Sequence, residues 1–101
     1  MLFFIRASSL GSGWEMTLKA TRNHLEDLAH LKAAGRLVFY GAMIGKKGGI
    51  EIVNLDSTEE LAAIINPILP FFDIEVVPLI GYDGVLNLLE KYPEFVKVEH
   101  A

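Results

Sequence analysis

Residues 66–80 read NPILPFFDIEVVPLI, an apolar run that carries two carboxylates, Asp73 and Glu75, two positions apart. Successive side chains of a β-strand point to opposite faces, so a strand here places both acids on one face. The other face then receives an apolar set that is typical of a core: Phe72, Ile74 and Val76. The stretch therefore predicts a strand with one covered apolar face and one open face of mixed character.

Local signals upstream mark where the other elements begin and end. Gly35 follows a stretch of helical periodicity and suits the residue after a helix C-terminus. Ser57 and Glu60 form a capping box, which predicts a helix that begins there. This helix is expected to end at Asn66, because the residue before a proline disfavours the α conformation.

These signals predict one ferredoxin-like domain over residues 1–101. The α+β order is β-α-β-β-α-β, a four-stranded antiparallel sheet with both main helices on one face, plus a C-terminal helix. The tail 94–101 fits no single assignment. The predicted strands are 2–7, 36–43, 49–55 and 71–79, and the predicted helices are 14–34, 57–65 and 85–92.

Composition narrows the class of protein. About half of the 101 residues are hydrophobic and the net charge is −4, which argues against nucleic-acid binding because phosphate recognition needs clustered Lys and Arg. The absence of cysteine excludes disulfides and thiolate metal sites. No apolar stretch is long enough to span a bilayer, and the opening MLFFIRASSL is too short for a signal peptide. A cytoplasmic protein without membrane contact is expected.

The open face of the sheet is the expected location of a site. Large apolar groups together with acids suit neither a solvated face nor a dry core, but they suit a wet cavity between two sheets that face each other in a homodimer. The third strand is predicted to send Ile50 and Ile52 towards the helices. The residues predicted on the open face include Phe4, Arg6, Tyr40, Glu51, Val53, Phe71, Asp73, Glu75 and Val77.

The segment LPFFDIEVVPL resembles the closing strand of the muconolactone delta-isomerases, and the opening MLFF resembles that family's start. The resemblance covers most of residues 1–80. It implies a dimeric α+β barrel that assembles into larger rings and a cofactor-free proton shift in an unsaturated lactone. Two features depart from that family: Phe4 stands where a polar residue is usual, and the second strand, RLVFYGAM, lacks its tryptophan and arginine.

The segment HLEDLAHLKAAGRLVFYGAM is closer to the YCII-related family, which has the same fold. In that family a histidine on a helix and an acid line the site, and His24 is the matching position here. Three scattered histidines do not form a metal site by spacing, and neither a metal nor a cofactor is predicted.

The candidate site residues each have a structural alternative. Asp73 and Glu75 are the predicted acid–base pair, or they pair with Arg6 and only stabilise an interface. His24 is a second acid–base candidate, or a partly buried residue with a local hydrogen bond. Arg6 is predicted to hold a substrate carboxylate and Tyr40 a carbonyl. The remaining candidate binding residues are Phe4, Glu51 and Phe71.

The predicted function is that of a cofactor-free isomerase or lyase, similar to muconolactone isomerase, acting on a small unsaturated lactone or related carboxylated metabolite. A cofactor-free monooxygenase on the same barrel is one alternative. A non-catalytic barrel that binds a small ligand, or only oligomerises, is the other. In every case the expected partners are a small molecule and further copies of the chain, as a homodimer or a larger homo-oligomer.

Overall fold

The computed structural model describes residues 1–11 and 14–96, with the backbone alone for residues 14, 95 and 96. The end of the ambiguous tail, residues 97–101, lies outside the described part. Four strands, three helices and two short helical turns follow one another. They are β1 (Leu2–Ser9), α1 (Trp14–Ala33), β2 (Leu37–Ala42), β3 (Gly48–Asn54), α2 (Thr58–Ile65), a 3-10 turn (Asn66–Ile68), β4 (Phe72–Leu79), α3 (Tyr82–Lys91) and a turn at Pro93–Val96.

The strands form one antiparallel sheet in the order β2-β3-β1-β4. This order and the positions of α1 and α2 confirm the predicted ferredoxin-like α+β fold. The core lies between the helices and one face of the sheet, which is called the covered face below; the opposite face is the open face. The buried residues of this core are Phe3, Ile5, Ala20, Leu28, Leu31, Val53, Leu55, Ile64, Ile65 and Ile68.

The predicted helix boundaries follow from their capping residues. At the end of α1, the amide of Gly35 donates to the carbonyl of Lys32 and that of Arg36 to the carbonyl of Leu31, with Gly35 at φ +72°. This is the paired closure that favours glycine after a helix. At the start of α2, the Ser57 hydroxyl accepts from the Glu60 amide at 3.1 Å. Among the described residues, no helix combines the length and apolar character needed to cross a membrane.

The faces of β3 are opposite to the prediction. Phe3 pairs with Val53 and Ile5 with Glu51, so these four side chains share the covered face. Val53 is fully buried and Glu51 is 4% exposed. The prediction was wrong because β3 carries aliphatic residues on both faces, so its alternation does not show which face is covered. A buried acid needs a partner, and that partner was not visible in the strand itself.

Tyr40 and Phe71 also differ from the prediction. Tyr40 pairs with Glu51 and therefore lies on the covered face; a register shift between Leu37 and Phe39 interrupts the simple alternation of β2. Phe71 precedes the first residue of β4 and packs against the core beside Phe72. By contrast, Phe72, Ile74 and Val76 contact the core as predicted.

Helix α3 begins three residues earlier than predicted, at Tyr82. The two added residues after Tyr82 are Asp83 and Gly84, so a glycine lies in the first turn of the helix. No side chain of α3 is buried, and its apolar residues Val85, Leu86 and Leu89 are each about 40% exposed or more. The helix therefore carries an exposed apolar stripe.

Candidate functional site

A cavity of about 280 Å³ lies between α1 and the covered face of the sheet. Its origin is a change of side-chain size along the strands. The covered face of β1 runs from Phe3 and Ile5 to Ala7 and Ser9, all alternate positions. On the neighbouring strands the same end of the sheet carries Gly49 and Ala42, which form a pair. Small side chains leave the space that large ones fill in the core.

His24 and Glu51 form a buried pair in the wall of this cavity. The Nε2 atom of His24, on α1, lies 2.9 Å from Oε1 and 2.8 Å from Oε2 of Glu51, on β3. Their side chains are 10% and 5% exposed. An ionised carboxylate only accepts hydrogen bonds, so Nε2 carries the hydrogen and donates it. This contact explains how an acid is accommodated on the covered face of the sheet.

The second ring nitrogen of His24, Nδ1, is buried and has no hydrogen-bond partner within the described part of the chain. Nε2 is thus the ring nitrogen that serves Glu51, and Nδ1 is a buried polar atom left unpaired, which costs free energy. The carboxylate keeps further acceptor capacity on both oxygens for a ligand.

Tyr40 lies opposite Glu51 across the β2–β3 pairing and lines the same cavity. The pKa of its hydroxyl is raised above the ordinary value of 10.0, first by burial and second by the negative charge of Glu51. A tyrosine hydroxyl is protonated at neutral pH even without this shift, so it can donate a hydrogen bond. One side of the cavity therefore carries three polar groups: the hydroxyl of Tyr40, the imidazole of His24 and the carboxylate of Glu51.

The structure separates the other predicted residues from this cavity. Arg6 and Glu75 pair on the open face at 2.6 Å, with side chains 48% and 50% exposed. Asp73 lies opposite Ser8 on the same face and is exposed. Phe4 is also on the open face, opposite Ile52 and Val77. The predicted alternative of an ion pair for Glu75 matches this geometry, and an acid–base role for Asp73 or Glu75 stays a prediction.

Phe71 lines a second cavity of about 210 Å³ on the other side of α1. His24 borders both cavities, because its ring lies between α1 and the sheet. Among the described residues, no group of three His, Asp or Glu side chains is arranged to hold a metal ion.

Sequence reasoning missed several residues that line the first cavity. Thr17 and Thr21 precede His24 by seven and three positions, which places all three on one face of α1. The Thr21 hydroxyl donates to the carbonyl of Thr17 at 2.8 Å. Lys47, in the turn between β2 and β3, is the other charged residue of the lining. The spacing of the threonines from His24 was a usable signal, whereas the position of Lys47 required the register of β3.

Two solved structures share this architecture. One is 5-chloro-2-hydroxyhydroquinone dehydrochlorinase (TftG) from Burkholderia phenoliruptrix AC1100, solved in complex with 2,5-dihydroxybenzoquinone. It superposes with a TM-score of 0.65 at 19% identity and covers 83% of this chain and 98% of its own. The other is muconolactone isomerase, with a TM-score of 0.62 at 18% identity over 81% of this chain and 91% of its own.

The chain has the muconolactone isomerase fold. The predicted resemblance is thus confirmed in three dimensions. No family model and no curated protein matches the sequence. At 18% and 19% identity the two superpositions establish the architecture, and the chemistry must be argued from the cavity itself.

Proposed function

We propose that the chain is a cofactor-free isomerase or lyase that moves a proton within a small unsaturated lactone or a related cyclic metabolite. The observation that supports this most is the buried contact between His24 and Glu51 in an otherwise apolar cavity. Both structural neighbours are named as enzymes that act on small ring compounds. A carboxylate held in a half-apolar cavity is a suitable general base for a carbon acid.

In the proposed reaction Glu51 acts as a single base that serves both steps. One of its oxygens takes the proton from the saturated ring carbon at the far end of the conjugated double bond, the γ-carbon, so that a C–H bond breaks and an O–H bond forms. The electron pair moves through the double bond to the carbonyl oxygen and gives a dienolate. Glu51 then returns the proton to the carbon next to the carbonyl, which restores the carboxylate and leaves the double bond shifted.

Two neighbours support Glu51 in these steps. The Nε2–H of His24 stabilises the carboxylate and fixes its orientation, and no second proton transfer is assigned to the ring. The hydroxyl of Tyr40, which is protonated at neutral pH, donates to the carbonyl oxygen as negative charge develops there. This assignment keeps the predicted carbonyl contact of Tyr40 and moves the base from the open face to Glu51.

Proton NMR of the protein with muconolactone in deuterated buffer tests this function. Conversion to the enol-lactone, or deuterium entering the ring faster than in a protein-free control, supports a proton-transfer enzyme. Oxygen consumption with an electron-rich aromatic compound, without exchange, would favour the monooxygenase alternative. Binding without either reaction would favour a non-catalytic barrel.

We further propose that the open face pairs with a second copy of the chain, as a homodimer from which larger assemblies form. This face combines exposed apolar residues with a half-exposed ion pair between Arg6 and Glu75. Phe39 is 51% exposed there, and α3 adds its exposed apolar stripe at the end of β4. Exposed apolar side chains grouped in this way suit an interface between subunits more than a face in contact with solvent.

A further inference from the structure

Lys47 occupies a defined place at the end of the cavity opposite the core. Its carbonyl accepts a hydrogen bond from the amide of Ser9 at 2.7 Å, which continues the β1–β3 pairing by one residue beyond Gly48. Gly48 permits this approach, because a Cβ atom there would lie 2.2 Å from the carbonyl oxygen of Ala7. The backbone of Lys47 is therefore held against β1, although the residue lies in a turn.

The alternation of β3 places Lys47 on the same face as Glu51. Gly49 lies between them on that face and has no side chain to fill the space above it. A Cβ atom at Gly49 would lie 3.7 Å from the Tyr40 hydroxyl. Two strand repeats separate Lys47 from Glu51, or about 13 Å between their Cα atoms. The long lysine side chain and the carboxylate thus bound a short slot with Tyr40 beside it.

The charges in this slot select a ligand. A negative group placed near Glu51 is repelled by its carboxylate, whereas at the other end it meets an ammonium group within a mostly apolar lining. Arg6, the predicted carboxylate anchor, is on the opposite face of the sheet and pairs with Glu75. Among the described residues that line the cavity, Lys47 is the one with a permanent positive charge.

We infer that Lys47 binds the negative charge of a small monoanionic ring compound, with the ring above Gly49 and its reactive carbon directed to Glu51. This inference rests on the proposed function for the use of the cavity, and it adds the residue that recognises the negative charge of the substrate. It makes Lys47 a specificity-determining residue with no part in the proton transfer.

Titration of the ¹⁵N-labelled protein with benzoate and with its neutral counterpart benzamide tests the inference by NMR. Benzoate is expected to shift the amides of Ser9, Thr21 and Gly49 in a saturable way and to bind at least tenfold more tightly than benzamide. Lys47→Gln is expected to weaken the binding of benzoate about tenfold and to leave the binding of benzamide unchanged. Lys46→Gln, the adjacent lysine outside the lining, is the matched control and is expected to bind both compounds as the wild type does.

Equal affinity for benzoate and benzamide, absence of saturable shifts at the cavity, or unchanged benzoate binding in Lys47→Gln would each overturn the inference. The spectrum of the variant also reports whether it is folded. The outcome is independent of turnover: selective benzoate binding together with no deuterium exchange into muconolactone would retain the inference and reject the proposed reaction.

Discussion

At the scale of single residues, the buried contact between His24 and Glu51 carries the proposed chemistry of the cavity and makes either residue costly to replace. Two side chains that are at most one-tenth exposed share two contacts below 3 Å. Such a pair contributes little net stability by itself, because both groups lose their hydration. Removal of one partner is costly, however, since it leaves the other polar group buried without compensation.

The first prediction concerns this asymmetry. His24→Leu is expected to lower the free energy of unfolding at pH 7 by about 3–5 kcal/mol, because the Glu51 carboxylate loses its buried partner. Adding Glu51→Leu is expected to recover much of that loss. Urea denaturation of both single variants, the double variant and the wild type gives the coupling energy. Additive losses would show that the two side chains do not interact as described.

The second prediction concerns Tyr40. Because the pKa of its hydroxyl is raised, its ionisation midpoint lies above 10.0, with burial as the main cause and Glu51 as the second. The difference in ultraviolet absorbance titration between wild type and Tyr40→Phe isolates this group from Tyr82 and Tyr92. In Glu51→Gln the midpoint is expected to fall but to remain above the ordinary value, since burial is unchanged. A midpoint that is the same in Glu51→Gln as in the wild type would show that the charge of Glu51 does not raise the pKa of Tyr40.

The same shift has a consequence for stability. The folded state holds the phenolic proton more tightly than the unfolded chain, so the stabilising contribution is complete below about pH 10. It is lost as the pH rises through the higher pKa of the folded state. Between pH 9 and 11 the free energy of unfolding is expected to fall more in the wild type than in Tyr40→Phe. The difference between the two curves is the contribution of Tyr40.

At the scale of elements, the faces of strands were predictable where apolar and polar residues separate. In β4 the covered face carries Phe72, Ile74 and Val76 and the open face carries acids, so the alternation was sufficient. In β3 aliphatic residues occupy both faces, and the deciding contact comes from His24, 27 positions earlier in the chain. The sequence therefore predicted the fold and three members of the cavity, but not the side of the sheet on which they meet.

Helix α2 provides a prediction at this scale. The hydroxyl of Ser57 accepts from the Glu60 amide, while the Glu60 carboxylate pairs with Arg36, the residue directly before β2. Ser57→Ala is expected to reduce the free energy of unfolding by about 1 kcal/mol through loss of the cap. Thr58→Ala, one residue on, is the control and should have a much smaller effect. Equal losses in thermal denaturation would contradict the capping role.

At the scale of the whole molecule, the exposed apolar open face predicts self-association. Phe39 lies opposite Ile52, and its ring lies where a Cβ at Gly41 would meet it at 2.9 Å. Phe39→Asp is expected to shift the protein from dimer or larger assembly to monomer in sedimentation velocity, because it buries charge in the interface. Ile44→Asp, at a fully exposed turn position, is the control. A wild-type protein that sediments as a monomer at millimolar concentration would reject the interface.

The most direct test of the central claim compares two carboxylates on opposite faces of one sheet. Deuterium incorporation into muconolactone is measured by proton NMR for the wild type, Glu51→Gln and Glu75→Gln. The cavity assignment predicts exchange in the wild type, a loss of about 10²- to 10⁴-fold in Glu51→Gln, and a rate within twofold of wild type in Glu75→Gln. Full exchange in Glu51→Gln with loss in Glu75→Gln would contradict it and move the chemistry to the open face.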